Sequence, residues 1–182
     1  MRIFFIGMMG SGKSFLGRQV AAKLGLNFID LDEVLEASEQ KPISEIFASV
    51  GEEGFRIIEA RTLRKLEQKD NFLLASGGGA PCYFQNMDWM NRVGLTIFIN
   101  PPLSWIVDRL DQTEKSKRPL LSGKNDEEIA GFFYDLLEYR RMYYEAADII
   151  YSPRNQDNML IDLLSIIGSA KKTPHLQKKM EG

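Results

Sequence analysis

Residues 7–14, Gly7-Met8-Met9-Gly10-Ser11-Gly12-Lys13-Ser14, constrain this chain more than any other stretch. They fit G-x-x-x-x-G-K-[ST] at every fixed position. The apolar run Ile3–Ile6 before them has the character of a buried strand. After them Leu16, Val20 and Leu24 recur every fourth residue, as on one face of a helix. A loop of this kind between strand and helix wraps phosphates. Its glycines let the main chain curl until several N–H groups converge on phosphate oxygens. The helix start adds further donors and positive dipole. Gly10, Ser11, Gly12, Lys13 and Ser14 are therefore expected to hold a nucleoside triphosphate. Lys13 is a compact cation for the β- and γ-phosphates, and the Ser14 hydroxyl is a ligand for Mg²⁺.

A strand–loop–helix start implies an α/β fold, and the rest of the chain agrees. Further strand candidates lie at 27–31, 72–75, 96–99 and 148–151. Helical patterns lie at 42–50, 54–68, 103–110, 127–147 and 159–167. Strands separated by helices predict a three-layer fold, a five-stranded parallel sheet with helices on both faces. At 182 residues one domain is expected, assigned to 1–168. Residues 111–125 are polar, charged and broken by proline and glycine, the composition of a lid. Residues 169–182 have little to bury and are expected to be a disordered tail.

Composition narrows the function. A net charge of −2 argues against a general nucleic-acid binder. No apolar run approaches the ~20 residues of a membrane span. One cysteine, Cys82, leaves no internal disulfide and no cysteine-based zinc site, and suits a reducing cytoplasm. The guanine-reading N-K-x-D is absent, which disfavours a GTPase switch. A short chain with a phosphate loop and a lid suits a small kinase, whose closing lid keeps water from the transferring phosphoryl group.

The acceptor side is written less plainly. Asp30 and Asp32 follow the second strand, where open parallel sheets bind ligands. Asp30 can hold Mg²⁺ and Asp32 can act as base toward a hydroxyl, or the pair can simply cap the next helix. Arg56 and Glu59 share a helix face, as an exposed ion pair or as a carboxylate grip fixed by Glu59. Gly77, Gly78 and Gly79 end an apolar strand, which suits a ligand ring lying on bare main chain. Arg118 lies in the lid, where it can swing onto the transferring phosphate. Arg140 and Arg141 precede Tyr143-Tyr144.

Taken together, GMMGSGKS at 7–14, DLD at 30–32, GEEGFRIIE at 51–59, ASGGGA at 75–80, KRPLL at 117–121 and RRMYY at 140–144 resemble shikimate kinase over roughly residues 1–167. The resemblance implies a P-loop kinase fold with a lid, and ATP-dependent phosphorylation of the 3-hydroxyl of shikimate in aromatic amino-acid synthesis. It implies Lys13, Asp32 and Arg118 as catalytic residues, and Ser14 and Asp30 as Mg²⁺ ligands. Asp32, Arg56, Glu59, Gly77, Gly78, Gly79 and Arg140 are implied at the substrate, with Arg140 preferred to Arg141 for its spacing to Tyr144. Arg109 matches an adenine-stacking arginine, and Arg154 and Asn155 fall where an adenine-contacting loop occurs. Phe15 stands in the nucleotide site where the family has threonine, and Met142 where it has proline. The partners implied are ATP and shikimate, with a cytoplasmic monomer expected. The alternatives are a kinase for another hydroxy acid such as gluconate, or a nucleotide-binding regulatory homologue. His175, the only histidine, takes no catalytic role.

Overall fold

The computed structural model describes residues 1–109 and 125–181. The strands β1 (Arg2–Ile6), β2 (Asn27–Asp30), β3 (Phe72–Ala75), β4 (Leu95–Ile99) and β5 (Ile149–Tyr151) form one parallel sheet in the order β2-β3-β1-β4-β5. The helices among the described residues are α1 (Lys13–Leu24), α2 (Leu31–Glu39), α3 (Ile43–Lys65), α4 (Asn86–Val93), α5 (Leu103–Asp108), α6 (Asp126–Tyr144), α7 (Met159–Ala170) and α8 (Pro174–Glu181). The expected α/β architecture is the observed one.

Strand periodicity divides the core into two halves. Successive side chains of β1 point to opposite faces. Phe4 and Ile6 join Phe72, Leu74 and Phe98 beneath α2, α3, α4 and α6. Ile3 and Phe5 join Leu73, Leu95, Ile97 and Ile99 beneath α1 and α7. The three central strands are buried on both faces, which is why they consist almost wholly of apolar residues. The register sets Ala75 beside both Phe5 and Asp30. The loops after β1, β2 and β3 therefore leave the sheet side by side, at its carboxyl edge.

The sequence divided residues 42–68 into two helical segments, and α3 is indeed broken at Gly51 (φ 70°, ψ −178°). The helix α2 is the one that the capping alternative for Asp30 and Asp32 implies, whereas α4 has no counterpart among the expected helices. In α2 the Asp30 carboxylate accepts a hydrogen bond from the Asp32 N–H at 3.1 Å, so Asp30 is a helix cap. In α4 Met87, Trp89 and Met90 are buried, but eight residues make little more than two turns, too short a run for a helical period to stand out.

The expected disordered tail at 169–182 is corrected. α7 continues to Ala170, and α8 then packs on β1, β4 and α4. Met180 is 2% exposed, and Leu176 packs against the Ile3 and Phe5 half of the core. Lys179 pairs with Asp148, which also accepts a hydrogen bond from the Thr96 amide at 3.1 Å. Two apolar residues one turn apart in a lysine-rich segment look like a frayed end until the sheet gives them a surface. Met180→Ala should lower unfolding stability by about 2 kcal/mol in urea titration. A tail without tertiary contacts would show no change.

Candidate active site

The phosphate loop takes its shape from backbone conformations that side chains resist. Gly12 caps α1 with φ 92°, a left-handed conformation that costs any residue carrying a Cβ. The chain can thus turn directly into the helix and present its first amides outward. Lys13 Nζ donates to the carbonyls of Gly7 at 2.9 Å and Met8 at 2.8 Å, which holds the ammonium across the loop. The Ser11 hydroxyl is fully buried and has no hydrogen-bond partner among the described residues.

Beside the loop lies a cavity of about 630 Å³. Of the residues expected at the nucleotide, Gly10, Gly12, Lys13, Ser14, Phe15 and Arg109 line it. Arg109 donates to Gln156 Oε1 at 3.0 Å, so the guanidinium is tethered at the cavity wall. Gln156 and Asp157 also line the cavity, and they were not anticipated. Arg154 and Asn155, which were, are exposed and do not line it. Asn155 instead accepts from the Asp157 amide at 3.0 Å and shapes the turn that sets Gln156 and Asp157 at the cavity wall. The shift of two residues has no signature in sequence, because it depends on where that turn falls.

The acceptor residues converge on the glycines after β3. A Cβ on Gly77 would lie 2.9 Å from Asp32 Oδ1 and 3.1 Å from Glu59 Oε1. One on Gly78 would lie 3.2 Å from both Arg140 Nη1 and the Met9 amide of the phosphate loop. One on Gly79 would lie 2.6 Å from Arg56 Nη1, inside contact distance. The space beside the bare main chain is therefore filled by Asp32, Glu59, Arg140 and Arg56, with the phosphate loop close by. Tyr144 pins this run by donating its hydroxyl to the Gly78 carbonyl at 2.6 Å.

Arg56 and Glu59 form a buried pair at 2.9 Å, not the exposed pair that spacing alone favoured. Burial works against the Arg56 charge, but Glu59 outweighs it and keeps the guanidinium ionised. Burial also lifts the Glu59 carboxyl, against the pull of Arg56. Phe55 and Tyr83 set their rings 5.2 and 4.5 Å from the Arg56 guanidinium carbon. The fold sets Arg140 and Arg141 in different surroundings. Arg140 is buried at Gly78, with Nε and Nη1 lacking partners among the described residues. Arg141 faces outward and pairs with Glu138 and Glu145.

Asp32 is reachable from the open cleft, yet protein surrounds it on most sides. That desolvation, with the neighbouring Asp30 carboxylate, holds its pKa above the ordinary range, while Lys13 and Arg56 pull it down. Asp30 commits one oxygen to its capping bond and keeps the other. A hydroxyl at Ser14 and a carboxylate at Asp30 are hard oxygen donors of the kind Mg²⁺ takes. Among the described residues no three His, Cys, Asp or Glu side chains converge as a metal cluster. A Mg²⁺ ion held by Ser14 and Asp30 would draw its remaining ligands from phosphate oxygens and water. Arg118 and nearly all of the expected lid lie outside the described residues. No described helix is long and apolar enough to cross a membrane.

The family model for shikimate kinase matches residues 9–170. Shikimate kinase of Bacteroides thetaiotaomicron is 41% identical over 152 residues, covering 84% of this chain and 86% of the relative. The crystal structure of shikimate kinase from Bacteroides thetaiotaomicron aligns with a TM-score of 0.85 at 35% identity, over 92% of this chain and 98% of that one. Shikimate kinase from Acinetobacter baumannii in complex with shikimate gives a TM-score of 0.82 at 31% identity, over 93% and 94% of the two chains. Helix α8 begins beyond the matched family segment.

The raised pKa of Asp32 has a consequence for stability. The folded carboxyl binds its proton more tightly than the unfolded one, so the folded state loses stability as pH rises through the Asp32 titration. Asp32→Asn removes that cost. The variant should melt higher than wild type at neutral pH, with the difference shrinking toward acid pH where Asp32 is neutral. Thermal melts across pH measure this; equal melting temperatures at neutral pH would contradict it.

Proposed function

The chain belongs to the shikimate kinase family and phosphorylates shikimate at the expense of ATP in aromatic amino-acid synthesis; we propose that the acceptor is the 3-hydroxyl and that the cleft residues divide the work as follows. The observation that carries the assignment is the glycine run. Gly78 abuts both the phosphate-loop amide of Met9 and the buried Arg140, so an acid held there lies next to a bound triphosphate.

Arg56 and Arg140 hold the carboxylate of the acceptor. Arginine suits this because its planar donors can bind both oxygens at once. Glu59 fixes Arg56 through their 2.9 Å contact, and Gly77–Gly79 leave the space in which Asp32, Glu59, Arg140 and Arg56 converge on the acceptor. Asp32 accepts the proton of the attacking hydroxyl. Its lifted pKa brings it closer to that task than an ordinary aspartate. Lys13 and the loop amides hold the β- and γ-phosphates, and Arg109 with Phe15 and Gln156 borders the adenosine half. Ser14 and Asp30 would hold Mg²⁺, which when bound neutralises charge on the phosphate oxygens. Arg118 is assigned to the transferring phosphoryl group from the sequence resemblance. Positioning and charge stabilisation are the main demands of this reaction, and these residues supply both.

A coupled ADP-release assay with ATP, Mg²⁺ and either shikimate or gluconate tests the reading. Turnover of shikimate is expected; turnover of gluconate alone would defeat it, and nucleotide binding without turnover would favour a regulatory role. Arg140→Ala should raise the shikimate KM by about 30-fold or more, the equivalent of about 2 kcal/mol. Arg141→Ala should stay near wild type. Equal effects from both arginines would contradict the assignment of Arg140.

A further inference from the structure

Tyr83 lies just after the glycine run and belongs to none of the motifs above. Its ring packs 4.5 Å from the Arg56 guanidinium carbon, and its hydroxyl donates to Glu52 Oε1 at 3.0 Å. That same oxygen is 3.5 Å from Arg56 Nη2. Two carboxylates thus flank one guanidinium, and they differ in kind. Glu59 is 1% exposed and binds tightly at 2.9 Å. Glu52 is 61% exposed, follows the Gly51 break that opens the second half of α3, and stands off at the limit of a hydrogen bond.

The distance matters because a charge-assisted pair closes to about 2.8 Å when nothing restrains it. A closed Glu52 would take Nη2 of Arg56 and set negative charge where the acceptor carboxylate must dock. We propose that Tyr83 is a positioning residue that holds Glu52 off Arg56, so that Arg56 keeps an open edge for the anionic acceptor. The phenol satisfies Glu52 with a donor that carries no charge, and draws its oxygen toward the ring side of the cluster. Burial and the adjacent Glu52 both raise the Tyr83 pKa, so the hydroxyl stays a donor across the working pH range. This inference rests on the reading that Arg56 binds the acceptor carboxylate.

The test is a kinetic cycle with shikimate as the varied substrate. Tyr83→Phe keeps the ring on Arg56 and removes only the hydroxyl. It should raise the shikimate KM about five-fold, the weight of one hydrogen bond, with kcat and the ATP KM little changed. Adding Glu52→Gln to Tyr83→Phe removes the competing charge and should restore the KM to near wild type. Glu52→Gln alone should bind shikimate at least as tightly as wild type. An unchanged KM in Tyr83→Phe overturns the proposal. So does a double variant no better than Tyr83→Phe, or a several-fold loss in Glu52→Gln alone. Arg56→Ala separates the two readings. If it leaves the shikimate KM unchanged, the carboxylate assignment itself fails; if it raises the KM while Tyr83→Phe does not, only the role of Tyr83 falls.

Discussion

Three residues without side chains hold this site together. Gly77, Gly78 and Gly79 leave a strip of main chain at the end of β3, and the space their Cβ atoms would fill is taken by Asp32, Glu59, Arg140 and Arg56. A Cβ on Gly78 would also come within 3.2 Å of the Met9 amide, which belongs to the phosphate loop. A methyl group at Gly79 would displace the Arg56 guanidinium, and one at Gly78 would press on both Arg140 and the Met9 amide. Glycine in a buried strand end costs backbone entropy. Here that cost brings a nucleotide site and an anion site within reach of a single phosphoryl transfer.

The charges gathered on that strip work against the fold as well as for the reaction. Burial disfavours both the Glu59 carboxylate and the Arg56 cation, and only their contact makes the pair tolerable. Arg140 Nε and Nη1 and Arg56 Nε are buried without partners among the described residues. Buried donors left unmade are destabilising, and an anion that satisfies them relieves that cost on binding. Asp32 is likewise held where its charged form is disfavoured. The rest of the molecule compensates through a sheet whose central strands are wholly buried and through helices packed on both of its faces.

Much of this was visible in the residues. The phosphate loop, the five strands and the order of the long helices follow from local patterns, because a parallel sheet needs apolar runs and a helix needs a periodic face. The failures have physical causes. α8 reads as a tail in sequence because Leu176 and Met180 become core residues only once β1 and β4 lie beneath them. Arg154 and Asn155, expected at the nucleotide, share a turn with Gln156 and Asp157, and the latter two line the cavity because the Asn155 side chain shapes that turn.

By itself the sequence determined the chemistry on offer: a loop for phosphates, carboxylates after the second strand, and arginines spaced for an organic anion. Short-range spacing carries that information, since each motif is a local backbone shape with its side chains attached. The tertiary structure alone decided which groups meet. It buried Arg140 and exposed Arg141, turned an ordinary-looking pair at Arg56 and Glu59 into a sequestered one, and set Tyr83 and Glu52 around the same guanidinium. Those outcomes depend on the sheet register that puts the ends of β1, β2 and β3 side by side, and no local stretch of chain encodes that juxtaposition.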